Sequence, residues 1–282
     1  MNSKPIRIRP FLNKLWGYLA VCFWLVFTIV LVGWIICASF STTREIFSGK
    51  LLNSGFHIEN YTRALFKNNV ALYLTNSVFY TLSSCFLILL ISIPAAYVIS
   101  RYLFLGRRLL QYLFVASLGI PTVMITMPLY SLIVRMGLLN YRAVLIFLYT
   151  AISVPFTTYF LISFFVSIPL SIEEAATIDG CTDDKTLWYI MLPIASPGVL
   201  TVTIFNFISI WNEYFISLMF INDSKLRQVG VGLYSMVQSM TYTGDWSGLF
   251  ASVILVFLPT FVLYLFLSKY IIGGITAGGV KG

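Results

Sequence analysis

The chain has 282 residues, 59% of them apolar and only 10% charged, with a formal net charge of +8 and a mean hydropathy of +0.90. That balance excludes a water-soluble domain and describes a polytopic, all-α membrane protein whose surface is mostly lipid-facing. The positive charge is spread over tails and loops, so it orients the chain in a bilayer and is not a nucleic-acid footprint.

Residues 1–14 form a basic tail, with Lys4, Arg7, Arg9, Lys14 and no acid. Beside a membrane helix, such a tail favours a cytoplasmic N-terminus. The first apolar run, 15–40, is too long for a signal-peptide core and lacks a small-residue cleavage site, so a retained helix is expected. About 20 residues suffice to cross a bilayer, and this run can cross with tilt. Residues 41–71 form an outer loop in which Asn60 to Phe66 are expected to make a short interfacial helix. His57 reads as a loop residue, with no neighbour to complete a site.

The second span is expected from Asn76 to Ser100, kinked at Pro94. Arg101, Arg107 and Arg108 follow without an acid and place that turn in the cytoplasm. The third span, Leu109 to Val134, is interrupted by Gly119, Pro121 and Pro128. Breakers at membrane depth are tolerated where helices pack or line a cavity, so this span is expected to face a pathway. The fourth, Ala143 to Ile168, carries Ser153 to Thr158 around Pro155.

Between the fourth and fifth spans lies an elbow, 171–193, which holds Glu173, Glu174, Asp179, Asp183 and Asp184, half of the chain's ten acids. Ser171 and Glu174 have capping-box spacing, predicting a helix from about Ile172. Gly180 suits its C-terminus. Thr182 is the expected N-cap of a second helix, with Asp183 and Asp184 in its first turn. Leu192-Pro193 is expected to end that helix. The small side chains of Ala175 and Ala176 would let another protein approach closely, while Leu187, Ile190 and Met191 are free to pack. By helix chemistry alone the segment reads equally as an ordinary capped loop.

The fifth span, Gly198 to Ile221, contains Asn206, Ser209, Trp211, Asn212, Glu213 and Tyr214. A carboxylate at membrane depth costs on the order of 2 to 3 kcal/mol, so Glu213 must face protein or water. It reads equally as an anchor between helices or as part of a pathway. Asn222 to Asp245 is expected to be a glycine-containing outer loop. The sixth span runs from Ser247 to Leu267 with Pro259 inside, and a glycine-rich tail, 269–282, is expected to be flexible.

Glu174-Ala175-Ala176, then Gly180, then nine residues before Ile190-x-Leu192-Pro193, resembles the EAA motif of ABC importer membrane subunits. The Asp179-Gly180 pair, the Trp211-Asn212-Glu213-Tyr214 run, the Asn60 to Phe66 stretch and the C-terminal tail resemble the maltose-type, sugar-importing branch. The resemblance implies a type I ABC transmembrane domain over 72–268, six transmembrane helices, a bacterial cell-membrane location and both termini cytoplasmic. It implies ATPase coupling through Glu174, Ala175, Ala176, Asp179, Gly180, Ile190, Leu192 and Pro193. A structural or gating role near the outer side is implied for Trp211 to Tyr214, and Pro121, Pro155 and Asn206 are further pathway candidates.

The implied partners are a cytoplasmic ABC ATPase dimer, a second homologous permease, an extracytoplasmic solute-binding protein and a sugar. The chain lacks a GxxxxGK[ST] loop, so ATP and magnesium are expected on the ATPase subunits. An amino-acid, peptide or polyamine cargo is the alternative within this scaffold. A membrane-embedded enzyme or sensor is a different class. For an enzyme, Glu213 is the one acid within a span, and the single histidine is not beside it. Cys22, Cys37, Cys85 and Cys181 have no metal-ligand spacing, so neither a metal nor a catalytic residue is expected.

Overall fold

The structure is a computed structural model describing residues 8–279, in which every regular element is helical. Residues 1–7 of the expected basic tail and residues 280–282, with Lys281, lie outside the described residues. The helices are α1 (Ile8–Ser39), α2 (Thr43–Ser48), α3 (Glu59–Thr62, running on as a π turn, Arg63–Lys67) and α4 (Val70–Arg101). There follow α5 (Arg107–Leu118), α6 (Thr122–Arg135), α7 (Arg142–Ser167), α8 (Leu170–Ile178) and α9 (Asp183–Ile194). The last are α10 (Ser196–Asn212), α11 (Phe215–Phe220), α12 (Val229–Thr243) and α13 (Trp246–Gly279).

Within the described residues, α1, α4, α7 and α13 each contain a stretch long and apolar enough to cross a bilayer. Two bent pairs, α5 with α6 at 97° and α9 with α10 at 77°, bring the number of crossings to six when each counts once. The third span, expected to be interrupted at Gly119, Pro121 and Pro128, is thus a broken pair whose single break lies between Leu118 and Thr122. Pro121 holds Ile120 away from helical geometry and offers no N–H, so α6 has to start afresh after it.

Other boundaries differ for equally local reasons. The second span begins at Val70, six residues before the expected start. The fifth breaks at Glu213, whose φ of −70° and ψ of 130° are extended. The supposed loop 222–245 is mostly α12, and its glycines are there for packing. A Cβ on Gly232 would lie 2.2 Å from the Tyr73 ring, and one on Gly230 2.8 Å from Tyr214 Cβ. The glycine-rich tail is not a separate coil, since α13 continues through it to Gly279.

The chain divides into two compact units. In the larger, Asn69–Ser235 with the chain from Val256, α4 packs most extensively on α7. Ser77, Thr81, Ser84 and Ser92 on α4 and Thr150, Thr157 and Thr158 on α7 are all buried. Small side chains let helix backbones approach closely where lipid supplies no hydrophobic drive. Apolar clusters lie on either side of this region. One gathers Ile93, Tyr97, Leu161, Phe165, Leu187 and Met191, the other Tyr80, Ile88, Leu145, Tyr149, Ile210 and Phe220.

The smaller unit comprises residues 8–68 and Met236–Leu255. In it, the α1 side chains from Leu15 to Val30 are exposed, as suits a helix whose solvent is lipid. A short helix, α3, is present where an interfacial one is expected, and Asn60 at its start donates to the carbonyls of Ser39 and Ser41, each at 3.0 Å. A capping box missed in the sequence, Thr42 with Glu45, starts α2. The buried Glu45 carboxylate accepts from the backbone N–H groups of Thr42 (2.8 Å) and Ser54 (2.6 Å) and from the Ser54 hydroxyl (2.7 Å). His57 joins this loop network through Ser54, at 2.8 Å, and Glu59.

The Thr42 backbone hydrogen bond, followed by the Ser54 hydroxyl, lowers the Glu45 pKa from 4.5 to about 2. A depressed carboxylate pKa stabilises the folded loop fully above the unfolded value, and the stabilisation is lost as pH falls through the folded one. Protection of the Thr42 and Ser54 amides against hydrogen exchange, corrected for intrinsic rates, should hold at pH 5 to 7 and collapse toward pH 2. Glu45→Gln should abolish most of it at neutral pH.

Candidate functional site

The elbow is two helices joined at a left-handed glycine. α8 begins after Pro169 with no side-chain cap, so the predicted Ser171–Glu174 capping box is absent. Pro169 and the extended Ile168 already fix the helix start, which places Ser171 inside the first turn. The expected stop at Gly180 is present, with φ of +79°. Cys181 N–H donates to Ala176 at 2.9 Å and Gly180 N–H to Thr177 at 3.0 Å, the pair of bonds that closes a Schellman motif. Thr182 is extended at the N-cap of α9, but its side chain makes no capping bond.

Leu192-Pro193 does not end the second helix, which runs to Ile194. The π turn at Thr186–Met191 widens the helix just ahead of Pro193, relieving the clash of its ring with the preceding turn and the loss of its N–H. The bend comes after Ile194, where α9 gives way to α10.

Glu174, Ala175 and Asp179 are exposed, and so is Ile178, at 86%. Ala176 is 4% exposed and packs inward, which removes it from the small outward face expected of it. Ile190 and Leu192 are half-buried and Pro193 is exposed. Trp188 and Tyr189, at 41% and 79% exposed, extend the outer apolar surface, and neither was singled out from the sequence.

One side chain at the end of α4 ties the first elbow helix to the bundle. Arg101 Nε stands 2.5 Å from Glu173 Oε1, with both side chains largely covered at 10% and 14% exposure. This is an ion pair rather than an aligned hydrogen bond, since neither atom has a hydrogen-bond partner. The same guanidinium donates to the Ile168 carbonyl at 2.8 Å. Next along, Tyr102 stands close enough to Asp183 for the carboxylate's charge to act on its hydroxyl. Loss of water contact chiefly, with help from Asp183, raises the Tyr102 pKa above its usual value, and a hydrogen bond from Tyr97 opposes the rise. Arg101 reads in the sequence as a topology charge. Its pairing with Glu173, 72 residues on, leaves no local signal.

At the break in the fifth span, Glu213 caps α11. Its carboxylate accepts from Ile216 N–H at 2.7 Å and Ser217 N–H at 3.2 Å, and Tyr149 Oη lies 2.9 Å away. Tyr149 also lies 2.5 Å from Gln228 Oε1, while the buried Gln228 Nε2 has no partner. Turning the amide lets both bonds form with one phenol proton: Tyr149 donates to Glu213, and Gln228 Nε2–H donates to the phenol oxygen.

Glu213 lines a cavity of about 300 Å³ with Thr122, Tyr149, Ser153 and Ser209. A second, of about 360 Å³, is lined by Ser117, Thr122, Ile152 and Pro155. Pro121 sits at the break beside both. Asn206 is buried and donates to Thr157 Oγ1 at 2.9 Å. Trp211, 1% exposed, donates to the Val256 carbonyl at 3.3 Å. Asn212 bonds back to Ile208 at 2.8 Å, and Tyr214 is exposed. Of the seven pathway candidates, the structure thus brings Glu213 and Pro155 to the cavities and gives Asn206 and Trp211 to packing. Tyr149 and Gln228 had no distinguishing sequence context.

Removing either member of the Arg101–Glu173 pair should lower thermal stability. An Arg101→Leu, Glu173→Leu double-mutant cycle should show a coupling of roughly 0.5–3 kcal/mol, the range for residues in direct contact. Tyr149→Phe should destabilise by about 1–3 kcal/mol, the penalty for a buried polar group left unpaired.

Residues 88–276 match the family described as binding-protein-dependent transport system inner membrane component. The diacetylchitobiose uptake system permease protein NgcG of Streptomyces coelicolor is 36% identical over 256 residues, covering 90% of this chain and 85% of that protein. The trehalose/maltose transport system permease protein MalG of Thermococcus litoralis is 32% identical over 252 residues, covering 88% and 90%. A chain of a bacterial ABC transporter involved in import of the acidic polysaccharide alginate shares the fold, with a TM-score of 0.78 at 24% identity over 96% of this chain and 99% of that one. A family match across more than half the chain, alongside relatives that it covers almost end to end, makes this protein one of the binding-protein-dependent transport system inner membrane components.

Proposed function

We propose that the chain is one of two homologous permease subunits of an ATP-driven importer in the bacterial cell membrane, with a carbohydrate as cargo. In this reading both termini are cytoplasmic, a cytoplasmic ATPase dimer binds ATP and magnesium, and an extracytoplasmic solute-binding protein delivers the sugar. The observation that carries the reading is the elbow: an exposed face of Glu174, Ala175, Ile178 and Asp179 on a pair of helices tied to the membrane bundle at Arg101. The carbohydrate assignment is supported by relatives named for diacetylchitobiose and for trehalose and maltose uptake.

Closure of the ATPase subunits would push on that exposed face. Glu174 offers a charge-assisted contact there, and Ile178 a desolvated apolar one. Ala176 acts from inside, holding α8 close against its own chain. Force on α8 passes through Glu173 and Arg101 into α4, and force on α9 through the bent joint into α10. The broken spans then turn as separate rigid segments around the Glu213 and Pro155 cavities, alternately opening them to the two sides.

Gly180 tests this directly, because a β-branched residue at its positive φ costs on the order of 1–2 kcal/mol locally. In the reconstituted complex, Gly180→Val should cut uptake of the cognate oligosaccharide and binding-protein-stimulated ATP hydrolysis tenfold or more. Gly180→Asn, which tolerates that conformation, should retain both. Normal uptake by the valine variant in a properly assembled complex would refute the coupling role, and uptake of amino acids or peptides instead of sugar would refute the cargo.

A further inference from the structure

The turn between α4 and α5 holds a group of side chains that neither the elbow nor the cavities use. Leu103 and Leu105 are 89% and 104% exposed. They contribute nothing to either apolar cluster, and an aqueous turn gains nothing from two bare leucines. Gly106, with φ of +91°, folds the chain back so that these leucines share one concave surface of about 510 Å³ with Phe104, Arg107, Arg108 and Gln111.

The charge of this bowl is uncompensated. From Arg101 to Gln111 the sequence has three arginines and no acid. Arg101 is taken by Glu173. Arg107 donates to the Ser100 carbonyl at 3.2 Å, which fixes its guanidinium over the turn without neutralising it. Arg108 is exposed, and among the described residues neither Arg107 nor Arg108 has an acidic partner. The first turn of α5 has no side-chain cap, so its backbone donors add to the positive field.

We infer that this turn is a binding site for an anionic phospholipid, with the headgroup phosphate on Arg107 and Arg108 and the start of the acyl chains against Leu103 and Leu105. The placement follows from connectivity. The turn follows directly on a helix long and apolar enough to cross a bilayer, and in this placement its leucines lie at the depth where headgroups meet hydrocarbon. A turn with bare apolar side chains beside unpaired arginines matches that boundary, where apolar groups dip into the acyl layer and cations meet phosphate. A water-facing protein partner would match the arginines but would have to cover both leucines within the headgroup layer. The inference requires only that the chain cross a membrane, and it is independent of the importer's cargo. It also gives the lipid a route to the elbow, because the side chain that would hold the headgroup is bonded to Ser100, next to Arg101 and Tyr102.

The experiment uses the full-length chain in the complex with which it co-purifies, in nanodiscs of phosphatidylcholine alone or mixed with phosphatidylglycerol. Retained lipids are counted by native mass spectrometry, and the thermal midpoint is followed in parallel. Arg108→Gln is the informative variant, since this side chain makes no internal bond. It should retain phosphatidylglycerol about fivefold less tightly than wild type, the loss for one arginine at an anionic surface, with assembly intact. Leu103→Ser with Leu105→Ser should also weaken retention and shrink the stabilisation by phosphatidylglycerol.

Equal retention by wild type and Arg108→Gln would overturn the inference. Displacement of the lipid by inorganic phosphate at millimolar concentration would make this a free-anion site and overturn it too, as would variants that lose a co-purifying protein while keeping lipid. A complex that transports normally but shows no preference for phosphatidylglycerol would defeat this inference alone and leave the importer reading standing.

Discussion

The pairing of Arg101 with Glu173 is the constraint on which the rest of the elbow depends. Two opposite charges, each about nine-tenths covered, are stable only together, because removal of either leaves the other buried without compensation. The pair therefore fixes where α8 lies against the end of α4. Asp183, at the start of α9, lies near Tyr102 just beyond that helix end, and the glycine between the arms sets their angle. An element that receives a push at the surface needs such anchorage, since a loosely attached hairpin would yield instead of transmitting the load.

Proline and glycine distribute the stiffness. Pro94, Pro155 and Pro259 lie inside helices that remain continuous, whereas Pro121, beside Gly119, marks a bend of 97°. A proline breaks a membrane helix when the preceding residues already release it, and otherwise only bends it. Glu213 achieves a break without proline. Its carboxylate takes two of the backbone donors that begin the next helix, which lowers the cost of stopping and restarting the chain there. The break at Pro121 adjoins both cavities, which share Thr122 and Ile152, and the break at Glu213 opens onto one of them.

Much of this was legible in the sequence because it rests on local chemistry or on bulk hydrophobicity. The apolar runs gave the α1, α4, α7 and α13 spans, and Gly180 gave the left-handed joint. Capping boxes were less informative: Thr42–Glu45 forms one and Ser171–Glu174 does not. The difference is the preceding residue, since Pro169 sets the start of α8 before Ser171 can. What stayed hidden involves partners far apart in sequence. Arg101 with Glu173, Tyr149 with Glu213 and Gln228, and Gly232 under Tyr73 each join residues that look ordinary in isolation. Ala176 was misjudged for a related reason: small size marks close approach but does not say whether the neighbour is another protein or the same chain.

The π turn at Thr186–Met191 has a consequence for how this joint tolerates change. It carries one residue more than a regular α-helix would use over the same length, which keeps Leu187 and Met191 together in the core while Trp188 and Tyr189 stay outside. Deleting a single residue there would restore ordinary winding and leave the elbow in phase with α10, whereas a deletion in the regular helix on either side would rotate everything upstream by about 100°. The π turn is thus a slack link, the one stretch of this joint whose residue count can change by one without turning the surface elbow relative to the membrane helix beyond it.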